Sequence, residues 1–199
     1  MAINLLAMLG KFKKMADQET EDAYFRTKVP SVGPDAFLNI VYKAPPREVS
    51  DEVELDLRLP SSLSDFYRQW NGARFFVGGL SVYGCVPSGQ QLDRTSPFKL
   101  LPFNIREVNR EFSRQVNDAG LVCIGSYSYD RSIVCMRRES QSVVCFVGKD
   151  FSNVRREWRN LEHWLAEELL RLSLLFDEEG NRLTDKGRLL PGLEPSGIS

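Results

Sequence analysis

A single imidazole, His163, is available in the 199 residues for any base, acid or metal ligand that must titrate near neutral pH. It sits between Leu161 and Trp164 in an apolar stripe, with no nucleophile at a recognised spacing, which favours a histidine at the edge of a packed helix face. Ser96-Pro97-Phe98-Lys99 has the bare serine-x-x-lysine spacing, in which a lysine one helical turn away acts on a serine nucleophile. Pro97 gives it a loop context, and the serine-aspartate-asparagine and lysine-threonine-glycine companions are missing. There is no nucleophile elbow, phosphate loop, dinucleotide fingerprint or HExxH motif; Gly148-Lys149-Asp150 lacks the neighbours of a phosphate-binding lysine. Glycosidase chemistry needs only two carboxylates, so a hydrolase working through carboxylates, or through Ser96 and Lys99, stands as the enzymatic alternative. The main expectation is a chain with no catalytic residue, no metal site and no cofactor.

Cys85, Cys123, Cys135 and Cys145 stand far apart, without a Cys-x-x-Cys pair and with one histidine to assist them, so a zinc site is not expected. Three of them lie in apolar, β-branched segments, where a free thiol behaves as a small buried hydrophobe in a reducing compartment. Other residues are suited to contact. Asp51, Glu52, Glu54 and Asp56 alternate with Val53, Leu55 and Leu57, which reads as the polar face of an exposed strand and a place to meet a basic partner. Arg155, Arg156 and Arg159 surround Trp158, a combination able to hold phosphate and stack on a base. The more economical reading packs Trp158 at a helix entrance and leaves the arginines in solvent or paired with Glu157 and Glu162. The loop Ser126-Tyr127-Ser128-Tyr129-Asp130-Arg131 is the best local candidate for recognition, because tyrosine joins contact area to a hydrogen-bonding tip; a packed hairpin loop is the structural alternative.

The elements that must carry these residues follow from periodicity. Leu5, Leu6, Met8, Leu9 and Phe12 predict a short amphipathic helix between Asn4 and Met15, and Phe37 to Tyr42 one strand in an irregular, proline-punctuated segment. Leu63, Phe66, Tyr67 and Trp70 follow helical spacing, with Ser62 and Asp65 fit for a capping box and Asn71-Gly72 for a helix stop. Phe75 to Tyr83 reads as one bulged strand or two short ones. A helix is expected from Asn104 to Val116, with Asn104 as N-cap. An antiparallel meander follows at Leu121 to Ile124, Ser132 to Met136 and Val143 to Val147. Leu161, Trp164, Leu165, Leu169, Leu172 and Phe176 predict a last helix from Asn160, with Glu167 and Arg171 paired outside and the run from Asp177 to Asn181 ending it.

Length suits one domain with extensions, and composition suits a folded globular chain. Twenty-six basic against 27 acidic residues give a net charge of −1, so no broad field attracts nucleic acid, and no apolar run serves as signal peptide or membrane span. Helices before and after clustered strands predict a single α+β domain, a mainly antiparallel sheet flanked by helices, in a cytoplasmic protein.

Leu59-Pro60, the helix bearing Phe66 and Tyr67, and Trp70-Asn71-Gly72 resemble the opening signature of the SUKH superfamily, which includes the Smi/Knr cell-wall assembly regulators of yeast. The later order is also similar: a strand at Leu80 to Tyr83, Leu101-Pro102-Phe103 before a helix, paired strands around Ile133 and Val144, and a closing helix with Trp164-Leu165. The resemblance implies a SUKH-like domain over 51–181, preceded by an extension (1–50) and followed by a tail (182–199). It implies a non-enzymatic fold that binds a protein partner; many bacterial members look like immunity proteins that neutralise a toxin. A regulatory scaffold in envelope or signalling pathways is the alternative. No catalytic residue carries over, and nothing in the resemblance fixes the oligomeric state.

Overall fold

The computed structural model describes residues 5–28, 37–87 and 101–174. In chain order these form α1 (Leu5–Lys14), β1 (Gln18–Glu19), β2 (Ala23–Lys28), β3 (Phe37–Lys43), α2 (Arg47–Leu57), α3 (Ser61–Tyr67), β4 (Trp70–Phe75) and β5 (Leu80–Val82). Then come α4 (Ile105–Glu111), α5 (Ser113–Asp118), β6 (Leu121–Tyr127), β7 (Ile133–Arg137), β8 (Val143–Val147), β9 (Asp150–Trp158) and α6 (Leu161–Ser173). The strands form one nine-stranded sheet in sequential order, and every neighbouring pair is antiparallel. This is the mainly antiparallel α+β architecture expected from the residues. The meander from β6 to β8 lies where the apolar runs put it, whereas β2 and β9, whose sequences are polar and of mixed pattern, escaped notice.

Paired residues in an antiparallel sheet share a face, so the register sorts the side chains. On one face Phe75, Leu80 and Tyr127 stand in line, and α1 and α6 cover them: Phe12 lies 5.0 Å from the Phe75 ring, and the Trp164 indole N–H donates to the Tyr127 hydroxyl at 3.0 Å. Gly125 has no side chain for a physical reason, since a Cβ there would sit 2.6 Å from the Ser81 carbonyl oxygen and 3.0 Å from the Trp164 ring. The main core, which includes all four cysteines, is buried around the sheet and its helices.

The acidic stretch is helical, not a strand. Asp51, Glu52, Glu54 and Asp56 lie on α2, where Ser50 and Val53 are buried and Leu55 is 81% exposed. Alternation over seven residues also satisfies a helix whose buried face is narrow, and Pro46 before Arg47 makes the first turn easy to start. Helix spacing then puts Glu52 and Asp56 together, and both pair with the buried Arg106 of α4, at 3.0 and 3.2 Å. Asp51 and Glu54 reach Arg47 and Arg68.

The signature segment also differs from expectation. Pro60 precedes α3 and no side chain of its own caps the helix; the Ser62 N–H donates instead to the side-chain oxygen of Gln141, from the turn between β7 and β8. Asp65 pairs with Arg68 and takes no part in a capping box. α3 stops at Tyr67, so Trp70, Asn71 and Gly72 open β4 and do not close a helix. Gly72 does have the positive φ (84°) foreseen for it, but within a strand, where a Cβ would lie 2.5 Å from the Val82 carbonyl oxygen. Asn71 donates to the Cys85 carbonyl and accepts from the Cys85 N–H, replacing a missing strand partner. Asn109 of α4 does the same for Cys123.

The region from Phe75 to Tyr83 resolves into two strands joined at Phe76 to Gly79, with Phe76 and Val77 at φ of 52° and 57°. The helix from Asn104 to Val116 is two, broken at Phe112; Asn104 caps the first by accepting from the Arg106 N–H. Asn160 caps α6 by accepting from the His163 N–H at 2.8 Å. Phe176 and the stop at Asp177 to Asn181 lie outside the described residues, as do Ser96 and Lys99. No helix among the described residues is long and apolar enough to cross a membrane.

Candidate functional site

The reactive groups named from sequence are largely consumed by structure. All four cysteines are buried and free; burial pushes the Cys85 and Cys145 thiols up to about 12 and the Cys135 thiol well above its ordinary value. Such thiols are neither nucleophiles nor metal ligands near neutral pH. No group of three or more histidine, cysteine or carboxylate side chains suited to a metal ion occurs among the described residues. His163 is partly exposed, with Nε2 3.8 Å from Glu167.

Two of the three arginines near Trp158 are likewise engaged. Trp158 ends β9 just before the Asn160 cap of α6, buried as expected at that helix entrance, and its indole N–H donates to Glu167 at 2.6 Å. Arg155 pairs with Asp130, Arg156 with Glu167, and Glu157 with Arg137. The outward pair of Glu167 and Arg171 does not form. Arg171 instead turns inward to Glu168, which is fully buried, at 2.6 Å and donates to the Tyr129 hydroxyl at 3.0 Å. Glu167 was spaced correctly for Arg171, but two partners from β9 hold it.

Two concavities among the described residues bear on these groups. The larger, about 550 Å3, lies between α3, the β7–β8 turn and the start of α6. Its polar groups already serve one another: Gln141 caps α3, Arg68 pairs with Asp65 and Asn160 caps α6. The second, about 320 Å3, opens over the face opposite Trp164.

Its floor is set by register. Ile40, Arg74, Ser81, Ser126, Ile133 and Phe146 form one row across β3 to β8. The row is apolar at both ends and polar at its centre. Phe103, Val108 and Phe112 wall it from the α4 side, and Arg131 and Lys149 stand at its margin. The Arg74 guanidinium lies 5.6 Å from the centroid of Phe103, itself 51% exposed, and beside the buried Tyr42 phenol, with which it interacts. Lys149 pairs with Glu111 at 2.6 Å, while neither Arg74 nor Arg131 has a carboxylate partner among the described residues.

The tyrosine loop therefore reaches this concavity, through a different set of atoms from those its composition suggested. Ser126, Ser128 and Arg131 line it. Tyr127 also borders it but is fully buried and held by Trp164, Tyr129 is bound to Arg171, and Asp130 accepts from Ser132 and Arg155. Burial pushes the phenols of Tyr127 and Tyr129 upward. The acidic quartet of α2 is spent mainly on Arg106, Arg47 and Arg68. The signature residues Leu59, Pro60, Phe66, Tyr67, Trp70, Asn71, Gly72 and Trp164 are packing and strand-pairing elements. Sequence reasoning missed Arg74 and Ser81; the one available signal was a lone cation inside the apolar run Ala73-Arg74-Phe75-Phe76.

A search of curated proteins gives no match. A family model described as the SMI1 / KNR4 family (SUKH-1) matches residues 46–167, a span from the start of α2 into α6 that includes the signature helix, the concavity and the Asn71 and Asn109 clamps. With more than half of its length matched, the chain belongs to the SMI1 / KNR4 family (SUKH-1).

Proposed function

We propose that this protein is a non-enzymatic, cytoplasmic protein-binding domain, and in its specific form an immunity protein that neutralises a cognate toxin by tight association without turnover. The observation that carries the binding reading is the concavity over the sheet centre, where two guanidinium groups have no carboxylate partner among the described residues while the thiols are sealed in the core. A solvent-open site with unspent charge and aromatic area suits a partner side chain.

Co-expression with the product of the neighbouring open reading frame tests the immunity form. The expected result is rescue of growth and a stoichiometric complex on size exclusion; full toxicity and two separate peaks would abandon it. Separate substitution of Ser96, Lys99 and His163 should leave rescue intact, and its loss in a folded variant would favour the hydrolase reading. The near-balanced charge, without the acidity that a basic nuclease selects, favours a second reading: a regulatory scaffold whose partner is a housekeeping protein.

A further inference from the structure

We propose that the concavity formed by Arg74, Ser81, Ser126, Phe103 and Arg131 binds an acidic side chain presented by a protein partner, with the two arginines as its cationic contacts. This rests on the protein-binding reading above and adds the partner's chemistry. The charged residues lining the site are Arg74, Arg131, Lys149 and Glu111, and the last two satisfy each other at 2.6 Å. Two positive charges remain. Arg74 is half-buried beside the Phe103 ring at 5.6 Å and the Tyr42 phenol, a neutral partner, and has no carboxylate partner among the described residues. A half-buried cation of this kind gains most from a charged acceptor, and a carboxylate matches the guanidinium fork with two oxygens.

The position of Arg131 has its own cost. Its φ is 61°, and Val77 on the adjoining turn at the same end of the sheet has a φ of 57°. Left-handed backbone is unfavourable for both side chains, most of all for β-branched valine, and strained residues of this sort gather where a ligand is gripped. Ser81 and Ser126 follow Arg74 in the same cross-strand row and line the concavity with Arg131, Ser126 also meeting the Tyr83 phenol, and their hydroxyls supply neutral hydrogen-bonding groups for the second oxygen. Phe103, Val108 and Ile133 give an apolar surround for the stem of the acidic residue and its neighbours. A polyanion such as nucleic acid is the poorer fit, because the chain carries 26 basic against 27 acidic residues and has no broad positive field.

The test is an NMR titration of the isotope-labelled full chain with acetyl-Phe-Glu-Asp-Phe-amide, whose ends are uncharged, and with its isostere acetyl-Phe-Gln-Asn-Phe-amide. The acidic peptide is expected to move the amides of Gly78, Ser126, Ser128 and Arg131 and the side-chain N–H of Arg74, binding roughly tenfold or more tightly than the isostere. Arg131→Gln, at an exposed position, should weaken the acidic peptide roughly tenfold without altering the isostere. Arg74→Lys, which keeps the charge but not the fork, should weaken it as well while the remaining spectrum is preserved. Equal response to both peptides, shifts confined to other surfaces, or unchanged affinity in Arg131→Gln would overturn the proposal. Tighter binding of an oligothymidylate at the same residues would overturn it too. Any of these leaves protein binding through another surface intact, since the co-expression result stands or falls separately.

Discussion

Glu168 shows how far one residue's meaning depends on depth. It is fully buried, paired with an Arg171 that is 6% exposed, and the two tie α6 to Tyr129 at the end of the β6–β7 turn. Removing one charge of such a pair strands the other in low dielectric. Glu168→Gln is therefore expected to cost about 3–5 kcal/mol, read as a lower urea midpoint, whereas loss of the exposed partner in the Lys149–Glu111 pair should cost under about 1 kcal/mol. The buried thiols and phenols set a second expectation. Cys85 and Cys145 rise from 9.0 to about 12, and Tyr42 from 10.0 to about 12, because burial disfavours their anions. Their protons are bound more tightly in the folded chain, so the stability they contribute is complete below pH 9 and is lost as pH climbs from 9 towards 12. Urea midpoints should fall along that alkaline limb and be recovered on return to neutral pH; a flat profile would contradict the burial of these groups.

At the scale of elements, helices and strands here are completed by side chains from elsewhere in the chain. Gln141 caps α3, Asn71 and Asn109 stand in for strand partners, and Arg106 fastens α4 to α2. Gly125 is another close fit, between a strand and a helix. Gly125→Ala would push a methyl group against the Ser81 backbone and the Trp164 ring, at an expected cost of about 1–3 kcal/mol. Denaturant unfolding measures the loss, and near-ultraviolet circular dichroism should show the Trp164 environment disturbed. The helical and meander patterns were legible because apolar periodicity is local. The exposed strand expected at Asp51 to Asp56 was not: alternation of charge and apolar residues over so short a stretch fits α2 equally, and only Arg106, far along the chain, decides between them.

Across the whole molecule, the family match begins at residue 46, yet β3 pairs with β4 from Asn39 to Lys43, and β2 and α1 build outwards from it. The apolar pair Phe25 and Ile40 forms a small cluster with Ala23 and Tyr42 on the outer part of the concave face. We expect a fragment of residues 46–174 to leave the edge of β4 and the Phe75 surface open, and so to aggregate or to lose its cooperative urea transition. A soluble fragment unfolding at the full-length midpoint would show that residues 1–45 are an independent extension. The concavity belongs to this scale too, because it draws on β4, β5, β6, β7, α4 and three turns at once.

Sequence by itself determined the class of fold, the order of most elements and the burial of the cysteines, which follow from local periodicity and turn chemistry, while the family is carried by the resemblance of the signature segment and the match over residues 46–167. It also marked the segment from Ser126 to Arg131. Only the tertiary structure decided which residues of that segment reach the open concavity. Tyr127 is drawn inward because Gly125 and Trp164 leave space for it on the core face, and the neighbouring Ser126 is thereby turned to the open face. The lone cation Arg74 falls into the same row by strand register, a long-range property that pairs Ile40, Arg74, Ser81 and Ser126 across four strands and is invisible in any one of them.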